Sequence, residues 1–515
     1  MLLGQVTLMS SAADLRRVRY ERLLTLLSPR PCYRQQVSHM FERCQHVLAM
    51  SILGAITAIG CTPVLVQSQG SRTGLVAVSA KTDTTFSRCA QAAVPIDTVT
   101  PASEPFGVVD PHNKSHLVIS WMQRARFGVT VLRSAASFDG GESWLYVTTL
   151  PLTSCATRTT FSFHTAGDPW LAVGGNGLIY ASALSFTEDS ASGIAVTTSG
   201  DGGRSWGAPV IAMAVSAKQG QYDNSSLAVD PRNAAVAFVL STRAESMPDS
   251  TQVGLVVLSK TIDGGRTWST ARAISPNYPG ASADLPQMAI DPVSGHLFVV
   301  YTSGAHGGIW LLVSTDASES WSTPTQVATF TPLNTPPRFP GSKVVMRVGE
   351  DVARVAIDPQ TGRLFVAFAD GRFSRGDHLQ IGITTSSDGG RTWSPVVAGL
   401  SDTTLAAWQP ASAVVADGSL AFSYFTAASV ADGLGGSYPT SVRVARVRLS
   451  NDGMVLERHD SPALDFPWQP GPRKQGMFLG DYHSLLVVGH ALCPLVARSF
   501  GPSSQIALAC VSDNP

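Results

Sequence analysis

Ser387-Asp388-Gly389-Gly390-Arg391-Thr392-Trp393 decides the fold, because the chain says nearly the same thing four more times. Phe138-Asp139-Gly140-Gly141-Glu142-Ser143-Trp144, Gly200-Asp201-Gly202-Gly203-Arg204-Ser205-Trp206 and Ile262-Asp263-Gly264-Gly265-Arg266-Thr267-Trp268 are close copies. Thr315-Asp316-Ala317-Ser318-Glu319-Ser320-Trp321 is a worn one. The aspartates recur at intervals of 62, 62, 53 and 72 residues. A period of this size marks one supersecondary unit repeated.

The letters of the unit describe a hairpin end. Asp-Gly-Gly after an alternating apolar run is turn chemistry: the carboxylate accepts from turn amides, and the glycines take positive φ without Cβ strain. The Ser or Thr two places before the Asp adds a second local bond. Trp144, Trp206, Trp268, Trp321 and Trp393 open the next strand and offer a large flat face to a neighbour.

A second feature marks where each unit begins: an acidic or polar residue, a short apolar strand, a turn, and a second strand. Glu104, Asp168, Asp223, Asp284, Glu350-Asp351, Trp408-Gln409 and Gly480-Asp481 head seven such starts. The expected fold is therefore all-β, a β-propeller of four-stranded blades, because radial repetition hides the edges an open sheet exposes. Seven blades are expected, with six as the runner-up, and Gly74–Ala80 is expected to supply the last blade's missing strand. Asp110, Asp230, Asp291 and Asp358, each directly before a proline, read as turn formers.

Composition agrees. Charged residues are only 14% while Gly and Pro number 46 and 32, which suits short strands and many turns. Lys plus Arg and Asp plus Glu both total 37, so the charge balance argues for no nucleic-acid partner and no membrane-surface patch. Residues 1–61 read as a tail and an export signal, and 74–515 as one propeller domain. The apolar run Val47–Gly60 is too short to span a bilayer and the right size for the core of a signal. Ala58-Ile59-Gly60-Cys61 resembles a bacterial lipobox, which would make Cys61 a lipidation site and a lipid anchor the protein's membrane attachment. A plain secretory signal and a buried helix are the other readings. Of the remaining cysteines, proximity favours Cys89–Cys155 and Cys493–Cys510, against four separate buried thiols.

The turn Ser-x-Asp-x-Gly-x-Thr-Trp resembles the Asp-box of the BNR-repeat proteins, the superfamily that includes bacterial sialidases. Glu104-Pro105, Asp168-Pro169-Trp170 and Phe478-Leu479-Gly480-Asp481-Tyr482 resemble the same group, from roughly Cys89 onward. Sialidase chemistry implies three arginines on the substrate carboxylate, a tyrosine nucleophile activated by a glutamate, and an aspartate acid/base. Carried onto this chain, Tyr482 is the candidate nucleophile, Glu350 its activator and Asp168 the acid/base. Arg354 and Arg473 are the candidate carboxylate ligands, and Trp468 a sugar-stacking face. The family's Arg-Ile-Pro tripeptide is absent; Pro337-Arg338-Phe339-Pro340 is its nearest echo.

The acids at the strand starts have two readings. Each can cap amides of its own turn, or together they can form a carboxylate ring for Ca²⁺ or a cationic ligand. Apart from that ring no cofactor is expected, and no cysteine or histidine spacing marks a metal cluster. The segments 330–343, 432–438 and 462–475 are candidate recognition loops. A monomer is expected, with a glycan or glycoprotein partner. Two function classes follow: an exported glycoside hydrolase of sialidase type, or a non-catalytic surface propeller binding a glycan or protein.

Overall fold

The computed structural model describes residues 76–77, 84–90 and 101–512, apart from 127–128, 158–159, 247–251, 277–281, 304–306, 339–344, 350–351, 428–437, 469–477 and 501–502. The export signal, Cys61, Glu350, Asp351 and Arg473 lie outside the described residues. So does most of the 432–438 loop.

Seven antiparallel sheets follow one another along the chain. Their innermost strands are Ala102–Val109, Thr165–Val173, Gln221–Val229, Ala283–Ile290, Arg354–Ile357, Ala406–Val414 and Ser484–Val488. Each touches the next, and the last touches the first, so the blades stand in a ring. This is a seven-bladed β-propeller. In the seventh blade, Val76–Ala77 pairs antiparallel with Leu508 and Ala507, so an N-terminal strand completes a sheet made from the C-terminal part of the chain.

The repeated turn is built as its letters imply. In the second copy Ser205 N–H donates to Asp201 Oδ1 at 2.9 Å, Ser205 Oγ donates to Asp201 Oδ2 at 2.5 Å, and Gly203 N–H donates to Ser199 Oγ at 2.9 Å. The same bonds recur around Asp139, Asp263, Asp316 and Asp388. Hydrogen bonds from Thr267 and its backbone hold Asp263 down to about 2. The worn copy forces Ala317 and Ser318 to φ of 57° and 77°, where the other copies use glycine.

Each tryptophan of these turns packs on the blade before its own. Trp206 joins the cluster around Val118, Leu132 and Ala136 of the first blade and donates its indole N–H to Ser134 Oγ at 3.0 Å. Trp268, Trp321 and Trp393 join the clusters that hold the second, third and fourth blades, with no acceptor for their indole N–H among the described residues. Trp144 reaches back to Leu495 and Leu508 of the seventh. No blade buries its own faces alone, so the ring is the unit of stability.

The four described cysteines are bridged as Cys89–Cys155 and Cys493–Cys510. The first ties the helix Thr84–Ala90 to the loop after the first blade. Asp110, Asp230, Asp291 and Asp358 each accept the backbone N–H two residues on, at 2.9–3.0 Å, in the turns between first and second strands.

Candidate functional site

Where the innermost strands begin, five of them break register at one place. The unpaired residues fall between Ser103 and Phe106, Gly167 and Trp170, Asp223 and Ser226, Asp284 and Gln287, and Trp408 and Ala411. The first unpaired residue of each has positive φ without being glycine: Glu104 at 51°, Asp168 at 49°, Asn224 at 51°, Leu285 at 49° and Gln409 at 56°. A left-handed non-glycine residue costs roughly 1–2 kcal/mol. Bulges re-aim a side chain, and strain of this kind gathers at functional sites. Four of the five, Glu104, Asp168, Asn224 and Leu285, reach one cavity on the axis, while Gln409 donates Nε2–H to the Gly480 carbonyl at 2.7 Å.

There the ring encloses a cavity of about 890 Å³, the size of a small-molecule site. Glu104, Asp168, Asp223, Asp284 and Asp481 line it, and Arg347 is the single basic residue among its described lining. Phe330, Thr331 and Pro332, from the proline-rich segment between the fourth and fifth blades, contribute one wall. The aspartate turns sit at the opposite end of the sheets, because they follow the far end of each third strand.

The acids are not equivalent. Asp223 and Asp284 accept the N–H of their own next residue, at 2.9 and 2.8 Å, which is local capping. Asp481 is ion-paired with Arg347, whose guanidinium lies 5.0 Å from the Phe478 ring. Glu104 and Asp168 are different. Their carboxyls lie within hydrogen-bond reach of one another, and burial together with neighbouring acids drives both upward, Asp168 to about 6. At neutral pH this pair holds a proton that isolated acids would have released.

Below them the axis is plugged. Phe106 and Trp170 stack at 4.0 Å, and Tyr482 stands 5.6 Å from Trp170. The buried Arg354 guanidinium lies 5.6 Å from both the Trp170 and the Tyr482 rings and donates Nε–H to Pro410 O at 3.2 Å. Burial pulls it down to about 10. Tyr482 Oη donates to Pro169 O at 3.0 Å, and burial with the Glu104 and Asp168 charges pushes the phenol well above its ordinary value.

Of the residues picked from sequence, Asp168 and Tyr482 therefore meet at one cavity, with Arg354 beneath its floor. Trp468 goes elsewhere: 462–468 is strand rather than loop, and its ring, 4% exposed, stacks 6.1 Å from Trp408 in the core. His483 Nε2 is 2.8 Å from Ser423 Oγ, and burial lowers its pKa to about 3, so it stays neutral. Among the described residues no three His, Cys, Asp or Glu side chains converge as metal ligands. Sequence reasoning missed Arg347, for which the sequence carries no signal, and Asn224. Asn224 is one place beyond Asp223 and shares the register of Glu104 and Asp168.

No protein-family model and no curated protein matches the chain. Solved structures do. The chain is similar to the Hadza microbial sialidase Hz136 at 17% identity and a TM-score of 0.41, over 63% of each chain and so under two thirds of that protein's length. It is similar to the NanB sialidase of Streptococcus pneumoniae at 11% identity and 0.43, over 86% of this chain and 99% of the other. It is also similar to an α-L-arabinofuranosidase of Fusarium graminearum at 14% identity and 0.43, over 80% and 93%.

Proposed function

We propose that the axial cavity is a glycan site and that the protein hydrolyses a glycosidic bond there. The observation that carries this is the Glu104–Asp168 pair: two cavity carboxyls in mutual reach, both driven toward protonation. A leaving sugar oxygen needs an acid that still holds its proton near neutral pH, and burial beside another acid is how a carboxyl becomes one. Asp168 is the proton donor in this reading, and Glu104 shares the proton with it. Tyr482 we assign to the floor of the cavity, since its hydroxyl is committed to Pro169. Among the described lining residues five carboxyls face one arginine, an arrangement that repels an anionic sugar and favours a glycan without a carboxylate. The two disulfides support an exported location.

A second reading, a non-catalytic propeller that binds a glycan or protein, is favoured by that same committed Tyr482 hydroxyl. A panel of fluorogenic glycosides with the full chain and Asp168→Asn separates the two. Turnover by the wild type that falls at least about a hundredfold in Asp168→Asn, with binding retained, supports hydrolysis. Binding without turnover of any glycoside supports the second reading, and absence of both removes the cavity as a glycan site.

A further inference from the structure

Two polar atoms in the cavity wall have no N–H donating to them. Glu104 Oε2 and Asn224 Oδ1 are both buried, on residues 2% and 8% exposed, and both residues line the cavity. Both atoms are acceptors. The Asn224 amide is oriented by its neighbours: Nδ2 donates to Thr242 Oγ1 at 3.3 Å and to Asp284 Oδ1 at 3.5 Å. Turning the amide over would set its carbonyl against the Asp284 carboxylate, so Oδ1 is held away from Asp284. Glu104's nearby carboxyl partner, Asp168, can donate only while it carries a proton. The Asn224 backbone N–H, donated to Asp223 Oδ1, also stands close enough to favour the Asp168 carboxylate, so Asp168 lies between the two acceptors.

A buried acceptor without a donor destabilises the folded protein, more so when it carries charge. A ligand that brings hydrogens and positive charge to this wall recovers that cost and offsets the excess of carboxylates. A hydroxyl brings one hydrogen and no charge, and an acetamido group brings one N–H and a bulky carbonyl that these acceptors repel. An ammonium brings three hydrogens and a full charge, enough for Glu104 Oε2, Asn224 Oδ1 and Asp168 together.

We infer that the glycan this cavity selects carries a free amino group, a hexosamine unit with an ammonium seated against Glu104 and Asn224. The inference rests on the glycan reading above and adds the class of sugar. Arg347 is held by Asp481 and does not compete for the seat.

Calorimetric titration of the full chain with β-1,4-linked glucosamine trimer, its N-acetylated counterpart and cellotriose tests it. The glucosamine trimer is expected to bind at least about tenfold more tightly than the other two at neutral pH and low salt. That preference shrinks only modestly in high salt, because a buried charge interaction is screened far less than an exposed one. It collapses in Glu104→Gln, which keeps the shape, leaves the pair with no shared proton for a cation to displace, and presents an amide N–H. Asp223→Asn, a milder charge removal away from the seat, reduces it by roughly two- to threefold and serves if Glu104→Gln does not fold. Equal affinity for the acetylated or neutral trimer, or a preference unchanged in both variants, overturns the inference and leaves the glycan reading standing. Failure of every trimer to bind overturns the glycan reading and this inference with it.

Discussion

Tyr482→Phe removes one oxygen and nothing else, and the structure says what that oxygen does. It donates at 3.0 Å to the Pro169 carbonyl, inside the ring on a residue 6% exposed. Its loss removes a bond worth about 0.5–1.5 kcal/mol net and strands a buried acceptor at about 1–3 kcal/mol. We therefore expect a destabilisation of about 1–3 kcal/mol. Unfolding entropy scales with chain length, so for a domain of this size that is a fall in Tm of roughly 1–3 °C. Phe106, Trp170 and Arg354 keep the ring stacked, so the cavity floor survives. Turnover of the best glycoside should stay within about tenfold of wild type. Urea denaturation and steady-state kinetics on one preparation read both quantities. A loss of a thousandfold or more in turnover with unchanged stability would refute the reasoning, for it would make this phenol the attacking group.

Three further outcomes follow from the geometry. Gly480 has φ of 117°, and a Cβ there would stand 2.6 Å from Glu104 Cγ and 2.8 Å from its backbone N, so Gly480→Ala should lower affinity for a cavity ligand at least about tenfold in titration. Ala317→Gly relieves a left-handed alanine, and denaturation should show a gain of about 0.5–1 kcal/mol without change in binding. With Asp168 at about 6 as proton donor, turnover should hold below that pH and fall about tenfold per unit above it, a limb absent from Asp168→Asn. The stability sign is consistent: a carboxyl raised on folding stabilises below its unfolded value of 3.8, and that contribution is lost as pH rises through about 6.

What was legible from the letters was whatever is local. The aspartate turn closes bonds within five residues, so Asp201 with Ser199, Gly203 and Ser205 announces itself in any context. The spacing of seven strand starts then counts the blades. The bulge was not legible, because proline after Glu104, Asp168, Leu285 and Gln409 signals extended backbone at the preceding residue, and the ring overrides it with positive φ. For that reason Asp223 and Asp284 looked equivalent to Glu104 and Asp168 but sit one place earlier and cap their own turns. Arg347 and Asp481 meet across 134 residues, a separation no local pattern encodes. Trp468 looked like a loop face because the hairpin Tyr438–Leu449 and Val455–Trp468 runs longer than its turn signals, carrying the ring into the core.

The seventh sheet joins Val76 and Ala77 to Leu508 and Ala507, strands that ribosomes make more than four hundred residues apart. Blades one to six can assemble as they emerge, but the clasp cannot fasten until synthesis is nearly done. A chain stalled or clipped before residue 507 keeps an open flank on both ends of the arc, and with it a protease-sensitive, aggregation-prone intermediate. The same clasp can be traded for another closure: a permuted chain that begins at the second blade would make the seventh sheet from continuous polypeptide and leave the ring closed by packing alone between the first and second blades.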